Sequence, residues 1–193
     1  MLFNRPVGGR PLMTTRGQYL SISFAGMAVS LLLLAAFIPA AVAAAMTASR
    51  WETYTNTRYG VMIDYPADVF AIEPPPPDNA GRNFEAPNLK ARFHVYTHAN
   101  ALDQTLQEIE DEDVTDLGDK DATKQNGGDW YQVLGVKDDE VIVHRVVLSE
   151  GGSMVHRLEI AFPAGAVANF APIMDRMTKS FRVDPTIPEK AAE

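Results

Sequence analysis

The chain of 193 residues contains no cysteine. Disulfide bonds, thiolate nucleophiles and lipid attachment through a processed cysteine are therefore excluded. A domain without disulfides must be stabilised by its core. About 150 residues are enough for this, because a domain of that size buries roughly 68–70% of the surface of its unfolded chain. The absence of cysteine thus predicts a fold that depends on packing alone.

Short catalytic motifs are also missing. No serine lies in a G-x-S-x-G or S-x-x-K pattern, no H-E-x-x-H occurs, and no glycine precedes lysine as a phosphate-binding loop requires. The acidic residues 111–121 fail the EF-hand register, since the sixth position is Asp116 or Lys124 where glycine is needed. We predict no metal and no cofactor. A looser divalent site in this stretch is the alternative to a solvated acidic face.

Basic residues are few. The chain has 17 lysines and arginines against 25 acidic residues, and its formal net charge is −8. Three basic residues and no acidic one precede residue 44, so the remainder carries −11. Such a domain repels phosphate backbones and anionic lipid headgroups, which disfavours nucleic acid and acidic membrane surfaces as partners. Solubility is the simplest explanation of the charge.

The chain does have a long uncharged run, residues 24–45. It belongs to three successive zones: basic residues (Arg5, Arg10, Arg16), an apolar core (residues 22–38) and small residues (Ala41-Val42-Ala43). This order is typical of a secretory signal peptide, so we predict that residues 1–43 are cleaved off and that the protein is periplasmic or secreted. The alternative is an uncleaved anchor, because the run approaches the ~20 residues that span a bilayer.

Alternating apolar and polar residues dominate the remainder and predict strands. The predicted strands are residues 59–65, 69–73, 91–97, 130–136, 141–148 and 154–162. Turns are expected at Asn126-Gly127-Gly128, Asp138-Asp139 and Gly151-Gly152. The run Pro74-Pro75-Pro76-Pro77 cannot donate backbone hydrogen bonds and predicts a stiff extended loop that reaches Gly81.

Two stretches have helical spacing. One helix is expected to begin at Asn100 as N-cap and to end near residues 110–113, where consecutive acids oppose the helix dipole. The other is expected at residues 166–181 and carries one apolar face. We therefore predict a single α+β domain over residues 44–183, a largely antiparallel sheet with helices packed on it, and a flexible tail at residues 184–193.

The histidines are candidate metal ligands and candidate proton-transfer groups. His94 and His98 would lie roughly 13 Å apart on a strand, too far for one metal ion. If Gly151-Gly152 is a two-residue turn, His144 faces Glu159 across two strands. We interpret this pair as structural. An extracytoplasmic enzyme with a site around His144 and Glu159 is the alternative hypothesis.

Several short motifs resemble a known group. They are Trp51-Glu-Thr-Tyr54, Asn56, Tyr59-Gly60, Asp64-Tyr65-Pro66, Phe70, Asn79-Ala80-Gly81-Arg82-Asn83-Phe84 and Ser180-Phe181. Residues 51–181 are similar to exported bacterial proteins of unknown function whose fold resembles the PsbP-like class, named for an extrinsic subunit of photosystem II. The resemblance implies an α/β/α sandwich and an accessory or binding role rather than catalysis. Ala80 departs from that pattern, in which glycine is more usual.

The sequence therefore predicts an exported, non-enzymatic interaction or accessory module that binds an envelope protein or a small ligand. Two segments are the candidate contact surfaces: the loop from Pro74 to Gly81 and the acidic residues 103–119. The candidate interaction residues are Pro74, Pro75, Pro76, Pro77, Asn79, Arg82, Glu108, Asp111 and Asp113.

Overall fold

A computed structural model describes residues 50–118 and 122–186. The predicted signal segment and the tail beyond residue 186 lie outside the described residues, so both remain predictions. Within the described ranges the chain forms these strands and helices: β1 Trp51–Asn56, β2 Val61–Pro66, β3 Ala71–Ile72, β4 Gly81–Ala86, β5 Ala91–Ala99, α1 Leu106–Leu117, β6 Thr123–Asn126, β7 Trp130–Lys137, β8 Glu140–Leu148, β9 Met154–Pro163, α2 Val167–Ser180 and β10 Arg182–Val183. None of the helices in this part of the chain is long and apolar enough to cross a membrane.

The strands form two antiparallel sheets. The larger has seven strands in the order β3-β4-β5-β9-β8-β7-β6, and the smaller has three in the order β1-β2-β10. All described strand pairs are antiparallel. The predicted antiparallel α+β architecture is therefore confirmed.

Each face of the large sheet is covered differently. Side chains along β8 alternate between the two faces. Val143 lies in a core with α2 and the small sheet, and Val146 lies in a second core with α1. The first core includes Phe84, Phe93, Leu158 and many other residues, whereas the second consists of Ile109, Leu117, Tyr131, Val133, Val146 and Val155. The result is a sandwich in which the large sheet lies between α1 on one side and α2 with the small sheet on the other.

Aromatic rings fill the first core. Phe84 and Phe93 are directly opposite each other on β4 and β5, and their rings stack with centroids 4.1 Å apart. Tyr65 from β2 tilts against Phe84 at 4.8 Å, and Phe70 meets Phe93 edge-on at 4.9 Å. Such pairs add to the stabilisation from buried area. The apolar stripe predicted on β2, including Tyr65, is buried here.

The predicted bounds of the first helix are wrong. Helix α1 begins after Thr105, whose hydroxyl accepts from the Glu108 N–H while the Glu108 carboxylate accepts from the Thr105 N–H, a capping box. Asn100 instead bonds the backbone of Gln104 and Gly152. The helix continues through the acids to Leu117, because Glu110 and Asp113 face the sheet. There Glu110 accepts from Asn126 and Asp113 accepts from Arg157.

Four strands were not predicted: β1, β4, β6 and β10. Strand β4 has only Phe84 as a large apolar residue, so its pairing with β5 rather than its composition defines it. Gly81 permits that pairing, since a Cβ at this position would lie 2.3 Å from the Val95 carbonyl oxygen. The Asp138-Asp139 turn is confirmed, with both residues left-handed (φ 51° and 64°).

Candidate functional site

The proline loop, residues 74–80, connects β3 to β4 on the surface. Its prolines donate no backbone hydrogen bond, so neighbouring residues fix its conformation. The Glu73 N–H donates to the Asn83 carbonyl oxygen at 2.9 Å, just before the loop begins. The Arg58 guanidinium donates to the Asp78 carbonyl oxygen at 2.6 Å, near its end. The loop is therefore held in place at both ends.

The turn inside the proline loop is made by Asn79, which has a left-handed backbone (φ 50°) that asparagine tolerates well. Its N–H donates to the Pro76 carbonyl oxygen at 2.9 Å. Its own carbonyl oxygen accepts from the buried Asn56 side chain at 3.0 Å. The Thr97 N–H then donates to the Ala80 carbonyl oxygen, which attaches the loop to β5.

Beside the loop lies an open groove of about 450 Å³, called here the proline-loop groove. It is lined by Pro74, Pro75, Pro76, Asp78, Ala80, Gly81, Arg82, Asn83, His94, Val95, Tyr96, Thr97 and His98. On β5 the side chains of His94, Tyr96 and His98 alternate with the buried Phe93 and Val95, as the sequence predicted. The groove thus combines apolar proline rings with polar aromatic and imidazole groups.

Arg82 contributes the cation of this groove. Its guanidinium lies 5.9 Å from the centre of the Tyr54 ring and donates to the Glu73 carbonyl oxygen at 3.4 Å. Of the loop residues selected from the sequence, Pro74, Pro75, Pro76 and Arg82 line the groove. Pro77 and Asn79 are exposed in the same loop but are not among the lining residues.

The acidic residues selected from the sequence lie elsewhere, on α1. Glu108 is exposed and closes the capping box, and Asp111 is exposed and accepts from the Gln107 amide at 2.9 Å. Asp113 is only 5% exposed. It is therefore not part of a contact surface, and the prediction is wrong for this residue. The reason is its position, four residues from both Ile109 and Leu117 on the buried face of the helix.

Asp113 is the centre of a buried polar cluster, called here the Asp113 cluster: Asp113, Arg157, Tyr131 and His144. The Arg157 Nη1 donates to both carboxylate oxygens of Asp113, at 2.5 and 2.6 Å. The Tyr131 hydroxyl donates to Oδ2 of the same carboxylate. The His144 Nδ1 lies 3.1 Å from Oδ2. One carboxylate thereby connects α1 to β7, β8 and β9.

The charges in this cluster are fixed by mutual contact. Burial would raise the pKa of the Asp113 carboxyl, but the His144 imidazole 3.1 Å away and the Arg157 charge outweigh it and hold that pKa below its usual range. Burial and the adjacent Asp113 charge raise the pKa of the Tyr131 hydroxyl. Burial would lower the pKa of Arg157, yet Asp113 outweighs it and raises that pKa. At neutral pH the cluster contains an ion pair and a neutral phenol donor.

His144 faces Glu159 across β8 and β9, so the predicted register is confirmed. The His144 Nε2 lies 3.8 Å from the Glu159 Oε2, while Asp113 is the nearer carboxylate. The His144 side chain is 11% exposed and lies between these two groups. A general base must reach a substrate proton. This geometry favours the structural interpretation of His144 over a catalytic one.

The sequence prediction missed Arg157 and Tyr131. Strand alternation could have identified both. It places Arg157 on the same buried face as Val155, and Tyr131 on the same buried face as Val133. A charged residue at such a position requires a partner. Asp113, at the buried spacing of α1, is the matching charge.

Metal ligation has no support in the described part of the chain, where no group of three or more histidines and carboxylates could hold an ion. His94 and His98 both lie on β5, so the extended backbone that separates them by roughly 13 Å in the sequence prediction is present. The alternative of a loose divalent site in residues 111–121 falls partly on residues 119–121, outside the described residues.

Comparison with known proteins shows a similarity in fold. No family model matches the chain, and no curated protein matches it. The solution structure of cyanobacterial PsbP (CyanoP) from Synechocystis matches with a TM-score of 0.50 and 16% identity, over 71% of this chain and 94% of that one. The Ran-binding protein Mog1p of Saccharomyces cerevisiae gives 0.47 and 13%, over 70% of this chain and 96% of that one. The likeness to cyanobacterial PsbP shows that this chain has a PsbP-like fold.

Proposed function

We propose that the chain is an exported, non-enzymatic interaction module that binds a protein partner in the cell envelope through the proline-loop groove. The observation that carries the proposal is the fixed conformation of the exposed loop beside a groove of about 450 Å³. A loop already held in one conformation loses little entropy when a partner binds. The same groove contains aromatic and arginine side chains, which are enriched where interfaces contribute most energy.

The lining favours an extended segment of a partner. The three prolines and Tyr96 offer apolar surface, while His94, His98 and Arg82 supply polar groups along the same groove. Extended segments are bound in this manner, by apolar contact with a few directed hydrogen bonds. The acidic charge of the chain beyond residue 43 favours a partner with exposed basic residues.

Export is the second component of the proposal and depends on residues 1–43. Sequencing the N-terminus of the protein isolated from the producing cells tests it. A chain that begins at Ala44 supports export with cleavage. An intact leader in the membrane fraction indicates a tethered form of the same module, and an intact leader in the cytosol contradicts export.

Site-specific photo-crosslinking in the producing cells tests the groove. A photo-reactive amino acid replaces Asn83 or His98, two exposed residues that line the groove, and Leu102 serves as the matched control because it is 80% exposed outside it. We expect a discrete protein adduct from Asn83 and His98 and none from Leu102. Absence of an adduct at both groove positions, or equal adducts at Leu102, contradicts the proposal.

A further inference from the structure

A second groove, of about 430 Å³, lies between α2 and the outer strands β6, β7 and β8. Helix α2 contacts β2 and β9, so the neighbouring strands of the large sheet are less covered on this face. The groove is lined by Thr123, Gln125, Trp130, Gln132, Leu134, Arg145, Met174, Asp175, Thr178 and Lys179. It is called here the Arg145 groove, and it shares no residue with the proline-loop groove.

Arg145 lies on β8 opposite Gln132 of β7. Its guanidinium carbon is 3.4 Å from the centre of the Trp130 ring, a close cation–π stack. The indole is itself packed over Gly127, where a Cβ would lie 2.1 Å from the indole nitrogen. The stack occupies one face of the guanidinium. Stacking of this kind does not engage the N–H groups, which lie in the plane of a guanidinium and can still donate to an acceptor.

Arg145 has no acceptor within the described residues. Each of the other seven arginines described there donates to a carbonyl oxygen or lies within 4 Å of a carboxylate: Arg50, Arg58, Arg82, Arg92, Arg157, Arg176 and Arg182. The Arg145 Nε is buried without a hydrogen-bond partner, as is the Arg82 Nε, but Arg82 donates through its Nη1 whereas Arg145 has no donor engaged in the described part of the chain. Burial lowers the pKa of Arg145 to about 10, against the attraction of Asp129, so the group stays charged at neutral pH. Buried polar groups normally have partners, and a desolvated cation especially so.

We propose that the Arg145 groove binds a small organic anion, a monocarboxylate with an apolar body, whose carboxylate pairs with the Arg145 guanidinium. Arginine binds carboxylates through two parallel N–H donors, and the volume lies in the range of roughly 300–1,000 Å³ usual for small-molecule sites. The apolar body lies against Trp130, Leu134 and Met174. The amides of Gln125 and Gln132 supply further hydrogen-bonding groups.

The charged side chains around the groove favour a ligand that carries a single negative charge. Lys179 does not add a free cation, because its ammonium is 2.8 Å from the Asp175 carboxylate. Asp175 lines the groove, and Asp129 acts on Arg145 from nearby. A doubly charged phosphate would be repelled by both carboxylates, whereas a monocarboxylate is balanced by Arg145 alone.

The two tryptophans of the chain make a direct test available. Trp130 lines the groove, whereas Trp51 lies on β1 with the Arg176 guanidinium 4.0 Å from its ring centre. The protein is expressed from the full-length sequence with 5-fluorotryptophan, and its two fluorine signals are assigned with Trp51→Phe. Octanoate is the probe, 1-octanol is its neutral match, and inorganic phosphate is the second anion.

We expect octanoate to shift the Trp130 signal saturably, with no shift at Trp51. Octanol should bind at least about tenfold more weakly, because a hydrogen-bonded charge pair is lost. Arg145→Gln should weaken octanoate binding by about the same factor, whereas Arg176→Gln should leave it within about twofold.

The proposal is overturned if the Trp130 signal does not move, if octanol binds as well as octanoate, or if Arg145→Gln binds octanoate like the unchanged protein. Tighter binding of phosphate than of octanoate overturns the monocarboxylate assignment. If Arg145→Gln does not fold, the octanoate and octanol comparison on the unchanged protein decides the question. None of these outcomes depends on the proline-loop groove.

Discussion

The two faces of the seven-stranded sheet are stabilised by different kinds of interaction. The face toward α2 is packed with aromatic and aliphatic side chains, led by the stacked Phe84 and Phe93. The face toward α1 has a smaller apolar core, and the Asp113 cluster lies beside it. Apolar contacts have no direction and accept shape-conserving changes. A buried ion pair requires every partner, so a change to one member affects the whole cluster.

The difference shows where this fold can change. The α2 face can exchange one apolar side chain for another of similar volume, because the surrounding residues adjust. On the α1 face, loss of Asp113 would leave the Arg157 charge buried without its carboxylate and the Tyr131 hydroxyl without its acceptor. The helix that covers this face is therefore held by a few specific bonds.

The largest effect is expected for Asp113→Asn, which keeps the shape of the side chain and removes its charge. Breaking a buried ion pair costs about 3–5 kcal/mol, so we expect a loss of that size in the free energy of unfolding. Urea unfolding measures it. The matched control is Asp111→Asn, an exposed change on the same helix, which should stay within about 0.5 kcal/mol. Equal losses in both variants would refute the role given to the Asp113 cluster.

The same carboxylate predicts a pH dependence. The pKa of Asp113 is lower in the folded protein than in the unfolded chain, where it is about 3.9. Its ionised form therefore stabilises the fold above that unfolded value, and the stabilisation is lost as the pH falls through the folded pKa. We expect the difference in urea midpoint between the unchanged protein and Asp113→Asn to be constant above about pH 5 and to shrink below about pH 4. A difference that persists in acid would argue against this prediction.

The smallest effect is expected on the aromatic face. Ile160 is buried there on β9, and Ile160→Leu keeps its volume and polarity. Volume-conserving changes of this kind cost less than about 1.5 kcal/mol. Urea unfolding alongside Asp113→Asn gives the comparison directly. A loss as large as that of Asp113→Asn would mean that the aromatic face is as intolerant as the charged one.

Much of the fold follows from local sequence patterns. Alternation predicts β2, β5, β7, β8 and β9, and even the facing of His144 and Glu159, because the number of residues between the two strands fixes their register. Alternation does not predict strands β4 and β6. All four residues of β6 are exposed, so this strand has no apolar face. Their partners, rather than their own side chains, make them strands.

The sites were predicted less well than the fold. The proline run and Arg82 identify part of the proline-loop groove, but His94, Tyr96 and His98 join it only through the pairing of β4 with β5. Asp113 and Arg157 are 44 residues apart in the chain, so no short motif connects them. The Arg145 groove lies between α2 and strands β6, β7 and β8, and its interpretation depends on the lack of a hydrogen-bond acceptor for Arg145 among the described residues. Such an absence is visible only in three dimensions.

The borders of the seven-stranded sheet have one further consequence. Strand β3 is two residues long and is separated from the four prolines by Glu73 alone. Strand β6 is four residues long and carries Lys124, which pairs with Glu110 on α1 at 3.5 Å. Short margins that contain lysine or adjoin proline offer little unpaired backbone to another molecule. Two copies that met along these margins would gain few ladder bonds, so this sheet resists growth into a fibre at high concentration.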